Sequence, residues 1–346
     1  MKALEEKPFV SIIIPTWRES RILNRCLDSL AGQNYPKEKL EIILIFKEKP
    51  QIDSFSTGGI KNLSLVGNFN CAEARNIGVK LSHGEIIAFI DDDCVAPDNW
   101  LSKAVKFFKD ESVGLIGGPA LPFKNEPLPY RLGGYLSESF FVTGFLGNRY
   151  KIVPGPGESN DYDLILANNF VRKTTFQEIG GFDKDQVPAD DYDLYFRIKA
   201  SGKKNLYAPE IFVWHRAKPI FLPWAGKTFY YAIGRGLLMA RNLKTVKIIF
   251  FLPTFFVLSF IGSGIIFLIF KGLVYPFLLL IFIYGLWNIA NAFYIFFKFE
   301  KNPLVFLYSP LAVFLIHFSY GLGVLVGFYK FISGGYKGGI REKVSY

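Results

Sequence analysis

The sequence has 346 residues and a net charge of +10, enough chain for one large domain or two ordinary ones. Half of the residues are hydrophobic and 17% are aromatic, more than a purely soluble protein needs, and a basic excess suits either nucleic acid or an anionic membrane surface. No basic stripe with stacking aromatics and no zinc-finger spacing is present, which argues against nucleic acid. The cysteines, Cys26, Cys71 and Cys94, are odd in number and lack metal-ligand spacing. They read as small buried hydrophobes in a reducing compartment.

The opening MKALEEKPFV has no long apolar core after its basic residue, so no signal peptide is expected and the soluble part is expected in the cytoplasm. Val10 to Thr16 is a β-rich run stopped by proline, a first buried strand. From Ser20, residues Ile22, Leu23, Cys26, Leu27 and Leu30 recur at helical spacing. Leu40 to Phe46 reads as a second strand, and Phe69 to Val79 as a helix that carries Arg75 and Asn76 among apolar residues. Ile86 to Ile90 is a continuous apolar run, as in a strand buried on both faces. Trp100 to Lys109 reads as a helix and Gly114 to Gly118 as the start of another strand. This alternation predicts an α/β fold with a Rossmann-like, mostly parallel sheet.

Three carboxylates, Asp91, Asp92 and Asp93, follow the Ile86 strand at once. Ligands of open α/β sheets bind outside the carboxyl ends of the strands. In extended geometry Asp91 and Asp93 point to one side, where their oxygens could share Mg²⁺ or Mn²⁺. The other reading is an acidic turn that caps the next helix. A second acidic cluster, Asp190-Asp191-Tyr192-Asp193, precedes an apolar periodic stretch and so sits at a helix N-terminus, where the helix dipole keeps carboxylates ionised; a plain N-cap role fits that placement equally. Tyr130 to Asn148 is aromatic, with Phe140, Phe141 and Phe145 spaced for one helical face, and Lys151 to Asp161 reads as a mobile loop.

Beyond residue 220 the composition changes. Phe221 to Leu243 interleaves aromatics with Lys227, Arg235 and Arg241, as in an amphipathic helix lying in the headgroup layer, or in a linker packed on a domain. Ile248 to Phe270, Leu273 to Phe297 and Leu304 to Tyr329 are runs each long enough, at more than about 20 apolar residues, to cross a bilayer. Asn288, Asn291 and His317 are their conspicuous polar residues. The expected division is therefore residues 1–219 as a cytoplasmic domain, 220–244 as an interfacial helix, 245–332 as about three membrane helices and 333–346 as a polar tail. Arg235, Arg241, Lys244 and Lys247 before the first run place that side in the cytoplasm. The Lys271-Gly272 link then faces outward and the loop from Lys298 to Lys301 inward, while the basic tail KGGIREK favours the inside against the three-span count. Pro303 and Pro310 leave open a third segment that dips in and returns.

Four segments, in order from Val10 to His215, resemble family 2 glycosyltransferases: VSIIIPTWRE, CAEARNIGVKLSHGEIIAFIDDD, ANNFVRKTTFQEIGGFD and ADDYDLYFRIKASGKKNLYAPEIFVWH. The C-terminal HFSYGLGVLVG is similar, more weakly, to the tails of membrane-bound members that extend lipid-linked or exported polysaccharides. The resemblance implies a glycosyltransferase A-type fold, a nucleotide-sugar donor, a divalent cation, and a lipid-linked or glycan acceptor. It places Pro15, Thr16, Trp17 and Glu19 around the donor nucleotide, with Arg75 and Asn76 beside it. Asp91 falls near the ribose, and Asp93 is the firmer metal ligand. Asp92, in the same donor stretch, turns away. His215 would complete the metal or phosphate site, or simply end its strand. The resemblance picks Asp191 as the base that deprotonates the acceptor, hence inversion at the anomeric carbon, with Gly181, Asp190 and Arg197 on the acceptor side. Arg197 would orient the carboxylates or pair with Asp193. One departure stands out: where the family's second strand ends in an aspartate that contacts the base, this chain has Phe46, and Glu48 is the nearest replacement.

The sequence thus predicts a membrane-anchored, metal-dependent, inverting glycosyltransferase whose partners are the donor, the acceptor and membrane lipids. The alternative is a non-catalytic glycosyltransferase-like binding subunit of a membrane glycan assembly. A transporter would carry more spans and more buried polar residues.

Overall fold

A computed structural model describes residues 6–50, 57–159, 163–269 and 274–334. In chain order the strands are β1 (Val10–Thr16), β2 (Leu40–Phe46), β3 (Lys61–Val66), β4 (Ile86–Ile90), β5 (Cys94–Val95), β6 (Val113–Gly117), β7 (Ala120–Pro122), β8 (Gly157–Glu158), β9 (Asn168–Arg172), β10 (Lys204–Tyr207) and β11 (Val213–His215). The helices are α1 (Arg21–Ala31), α2 (Cys71–Leu81), α3 (Trp100–Ala104), α4 (Leu128–Glu138), α5 (Phe140–Thr143), α6 (Lys173–Glu178), α7 (Asp190–Ala200), α8 (Leu222–Arg241), α9 (Leu252–Ile269), α10 (Val274–Lys298) and α11 (Val305–Ile332). The chain forms two compact units, one of residues 1–123 and 148–216, the other of 124–147 and 217–346. The stretch 124–147 therefore groups with the helical unit, a division that the expected single domain over residues 1–219 did not contain.

The first unit is built on an eight-stranded sheet in the order β3-β2-β1-β4-β9-β6-β10-β8. The run from β3 to β4 is parallel. β9 is antiparallel to both β4 and β6, and β8 is antiparallel to β10, so the sheet is mixed. Strand alternation sorts the core into two layers. Ile12, Ile14, Ile42, Leu44, Ala88 and Ile90 pack with Leu27 of α1 and Trp100 of α3, whereas Ile13, Ile43, Ile87 and Phe89 pack with Ala74 of α2 and Leu194 and Ile198 of α7. Burying each such large side chain is worth about 1.5–3 kcal/mol. The same alternation carries Asp91, two residues past Phe89, to the α2 and α7 face.

A second sheet, β5-β11-β7, has three strands. α2 begins at a capping box: Asn70 Oδ1 accepts from the Glu73 N–H at 2.9 Å, and Glu73 Oε2 accepts from the Asn70 N–H at 3.0 Å. The stretch predicted as one helix from Trp100 splits into α3 and a 3₁₀ turn over Val105–Lys109. β3 was not foreseen. It is an edge strand with little burial, so its KNLSLV lacks the apolar run that marked the others.

Among the described residues of the second unit, three helical stretches, Ile248–Phe267, Phe277–Lys298 and Val305–Ile332, are long and apolar enough to cross a membrane. Pro310 lies inside the unbroken α11, past its first turn, where the missing N–H removes one intrahelical bond. α8 does not lie free as a surface helix: Ala232 to Met239 is buried. A Cβ on Gly236 or Gly327 would fall within 2.4 Å of a carbonyl oxygen of the facing helix, a close small-residue contact between α8 and α11. Arg235, expected on a polar face, is 5% exposed with its guanidinium over the Phe250 ring at 4.2 Å. Arg241 is exposed. In the aromatic stretch α4 is capped at Ser139 and α5 at Gly144, so Phe145 lies past the helix of Phe140 and Phe141, yet the Phe140 and Phe145 rings still meet at 5.6 Å. Ser139 Oγ donates to Asn291 at 2.7 Å, and the carbonyls of Phe141 and Val142 meet Trp287 Nε1 and His317 Nε2, each at 2.8 Å. The polar residues of the apolar helices are thus internal ties. The Lys271-Gly272 link and tail residues 335–346 lie outside the described residues.

Candidate active site

The site grows from the carboxyl end of β4. After Ile90 the backbone turns over Asp92 and Asp93, so the extended geometry assumed for Asp91 and Asp93 does not hold there. Each aspartate instead meets its own partner. Asp91 Oδ1 accepts from Arg75 Nη2 at 3.0 Å. Asp92 accepts from the hydroxyl of Thr16. Asp93 Oδ1 lies 3.2 Å from His215 Nε2.

The last of these pairs depends on the small sheet. β11 pairs with β5 so that His215 faces Cys94, and the Arg216 N–H donates to the Asp93 carbonyl at 3.1 Å. Asp93, Cys94 and His215 each offer a ligand atom within 4.8 Å of the others. Burial pushes the Cys94 thiol well above its usual value, and the charges of Asp93 and Asp91 add to that. The thiol also points to the Ala167 carbonyl at 3.8 Å. Mg²⁺ and Mn²⁺ favour oxygen ligands over a thiol, which leaves the carboxylate and the imidazole as the better donors. That pair suits a divalent cation whose other positions go to phosphate and water.

Arg75 was expected beside the donor nucleotide. The structure buries it, at 6% exposure, between two carboxylates: Asp91, and Asp190 Oδ2 at 3.5 Å from Nη1. Its neighbour Asn76 clamps the backbone of Phe182, accepting from the N–H at 2.9 Å and donating to the carbonyl at 2.8 Å. Gly181 precedes this clamp with φ +70°, and a Cβ there would stand 2.7 Å from Asn76 Oδ1. Glycine is required by that contact.

Ala189, at φ +78°, turns the chain into α7, and Asp190 and Asp191 then differ sharply. Asp190 is buried. Asp191 is partly exposed, and its Oδ1 accepts from the Tyr192 N–H at 2.8 Å. Of the two, Asp191 alone is open to a substrate. Arg197 does not reach them; it pairs with Asp193 at 2.6 Å and donates to the Ile179 carbonyl at 2.8 Å, tying α7 to the end of α6. Sequence reasoning missed Arg149. It is buried, bonds the Tyr192 hydroxyl, and acts electrostatically on Asp191. No periodicity or motif relates it to α7.

On the other side of β4, Pro15 and Thr16 end β1 beside Ile45 and Phe46. Phe46 is fully buried and so cannot take over an aspartate's contact with a base. Trp17 Nε1 donates to Glu48 Oε1 at 2.7 Å, and Lys47 Nζ sits 3.8 Å above its ring. Glu19 precedes the N-cap Ser20 of α1.

Residues 11–166 match the model of Glycosyl transferase family 2. Those residues, under half of the chain, have the sequence of a family 2 glycosyltransferase domain. The glycosyltransferase AglE of Haloferax volcanii is 27% identical over 70% of this chain and 77% of its own length. A Methanococcus voltae enzyme named dolichyl N-acetyl-alpha-D-glucosaminyl phosphate 3-beta-D-2,3-diacetamido-2,3-dideoxy-beta-D-glucuronosyltransferase is 22% identical over 93% of this chain and 98% of its own. The mannosyltransferase PcManGT from Pyrobaculum calidifontis, solved in complex with GDP-Man and Mn²⁺, superposes with a TM-score of 0.55 at 16% identity, covering 94% of this chain and 87% of that one. The glycosyltransferase A-type fold expected from the motifs is the fold observed.

Proposed function

We propose that this protein is a glycosyltransferase, anchored in the membrane, that moves a sugar from a nucleotide-sugar donor to a lipid-linked or polysaccharide acceptor at the cytoplasmic face, inverting the anomeric centre. The reading rests above all on the end of β4, where the Asp93–His215 pair and the Asp91–Arg75–Asp190 group stand beside Asp191 at the start of α7. Asp93 and His215 would hold Mg²⁺ or Mn²⁺. When bound, that ion supplies charge neutralisation for the departing nucleotide diphosphate. Trp17 and Glu48, fixed to one another, border the place of the base. Asp191 takes the proton from the acceptor hydroxyl as its oxygen attacks the anomeric carbon. The carbon–oxygen bond to the nucleotide breaks on the opposite face, so configuration inverts. The three apolar helices and the lipid-phosphate substrate in the name of the Methanococcus relative favour a lipid-carried acceptor. Basic Arg241, Lys244 and Lys247 before α9 favour the cytoplasmic side.

The test is a panel of nucleotide sugars offered to the full-length protein in lipid nanodiscs with Mn²⁺ or Mg²⁺ and a polyprenyl-linked acceptor. Transfer from one donor, lost on chelation, is expected. Donor binding without transfer or hydrolysis from any donor would favour the binding-subunit alternative.

A further inference from the structure

We infer that Arg75 is a positioning residue that ties the donor-side carboxylate of Asp91 to the acceptor-side start of α7, and that it does not bind the donor's phosphates. This inference rests on the glycosyl-transfer reading and adds a role which that reading does not contain. The guanidinium has a place at each end of a bridge: Nη2 to Asp91 at 3.0 Å and Nη1 to Asp190 at 3.5 Å, with side-chain exposures of 7% for Arg75 and 12% for Asp190. The Phe182 ring closes one side, its centroid 5.9 Å from the guanidinium carbon. Phe182 itself is fixed by Asn76, the next residue of α2. Its ring packs edge-on to Phe89 at 5.4 Å, the β4 residue two before Asp91.

Two adjacent residues of α2 therefore grip the acceptor-side chain at Phe182 and Asp190 while one of them also grips the end of β4. A planar fork reaches two carboxylates at once, which an ammonium on a flexible stem cannot do with the same geometry. Asp191 follows Asp190 on the first turn of α7, so a shift of Asp190 moves the base. A displacement near 1 Å can cost about 10²-fold in rate.

The experiment compares Arg75→Lys, Asp190→Asn and the double variant in the full-length protein. Binding of Mn²⁺–GDP and Mn²⁺–UDP is read by calorimetry, which needs no acceptor, and kcat and KM are read with the donor and acceptor found in the panel. If Arg75 bridges, each single variant lowers kcat by about 10²-fold. The double variant is no worse than either single one, because all three break the same link. Nucleotide affinity stays within about twofold, the scatter of independent sites. A drop of more than about tenfold in nucleotide affinity with kcat kept would make Arg75 a donor ligand and overturn the inference. So would kcat losses that multiply in the double variant. Should Arg75→Lys fail to fold, Asp190→Asn alone decides, since it leaves the Arg75–Asp91 contact in place: an unchanged kcat would refute the bridge. Turnover by the unsubstituted protein judges the glycosyl-transfer reading separately.

Discussion

His215 Nε2 stands 3.2 Å from Asp93 Oδ1, although 122 positions separate them, because β11 pairs antiparallel with β5 immediately after the aspartate turn. On the proposed reading these are the two residues that would hold a cation. Asp93→Ala is expected to abolish transfer. His215→Ala should weaken Mn²⁺ affinity by at least the roughly 10–100-fold that loss of an outer partner already costs. Titration of Mn²⁺ by paramagnetic relaxation of water, in the presence of nucleotide diphosphate, measures both; unchanged Mn²⁺ affinity in both variants would remove the cation from this pair.

Asp191 and Asp190 are neighbours with opposite exposure, and that separates their roles. Asp191→Asn keeps the shape of the site but loses the base, so transfer should fall by about 10²–10⁴-fold while nucleotide binding persists. Single-turnover transfer and calorimetry on the same preparation check the two halves of this expectation. Lost nucleotide binding with unchanged turnover at saturation would move Asp191 to the donor side.

Burial pushes Asp190 up to about 7, and the charge of Asp191 adds to this against the pull of Arg75. Its folded value lies above the unfolded one, near 3.9, so the folded protein binds more protons between the two. Stability contributed by the protonated group is fully present below the unfolded value and is lost as pH rises through about 7. Thermal unfolding of the nucleotide-free protein should therefore show a stability that declines from about pH 4 to 7 through this group. Asp190→Asn should remove that component of the slope; an identical pH profile in the variant would contradict it.

Arg235 and Arg241 lie on one helix but in different surroundings. Arg235 is buried over Phe250, and Arg241 is exposed. Arg235→Glu places an opposite charge in a packed site and should cost on the order of 3–5 kcal/mol, as when a buried pairing is broken. It should be seen as loss of folded protein by size-exclusion after detergent extraction. Arg241→Glu should stay within about 0.5 kcal/mol in stability, yet weaken vesicle-dependent transfer if this end of α8 meets anionic lipid. Equal behaviour of the two variants would contradict the different environments.

Much of the first unit was legible because its strands are apolar on both faces. LEIILIF and IIAFI can lie only inside a covered sheet, and the carboxylates that follow IIAFI mark where it emerges. The edge strand β3 and the antiparallel β9 were not legible. One is too exposed to show an apolar pattern, and the other mixes Asn168 and Asn169 into a buried strand, where Asn168 spends its side chain on Trp100, Pro119 and Ile211. Asp93, His215 and Asp191 could be nominated from motifs, whereas Arg149 could not, since it reaches Tyr192 from a 3₁₀ turn with no repeating signal.

By itself the sequence determined the α/β alternation, the acidic ends of β4 and α7's first turn, and three helices apolar enough for a bilayer, since each depends on local composition and period. Only the tertiary structure decided which charge meets which. It set Arg75 between Asp91 and Asp190. It put a turn at Asp92 and Asp93 where extended backbone was expected. It buried Arg235 where the helical pattern had left it for lipid. Each of these depends on a contact across the chain, and burial, which sets the cost of leaving a charge unmatched, exists only once those distant segments have packed.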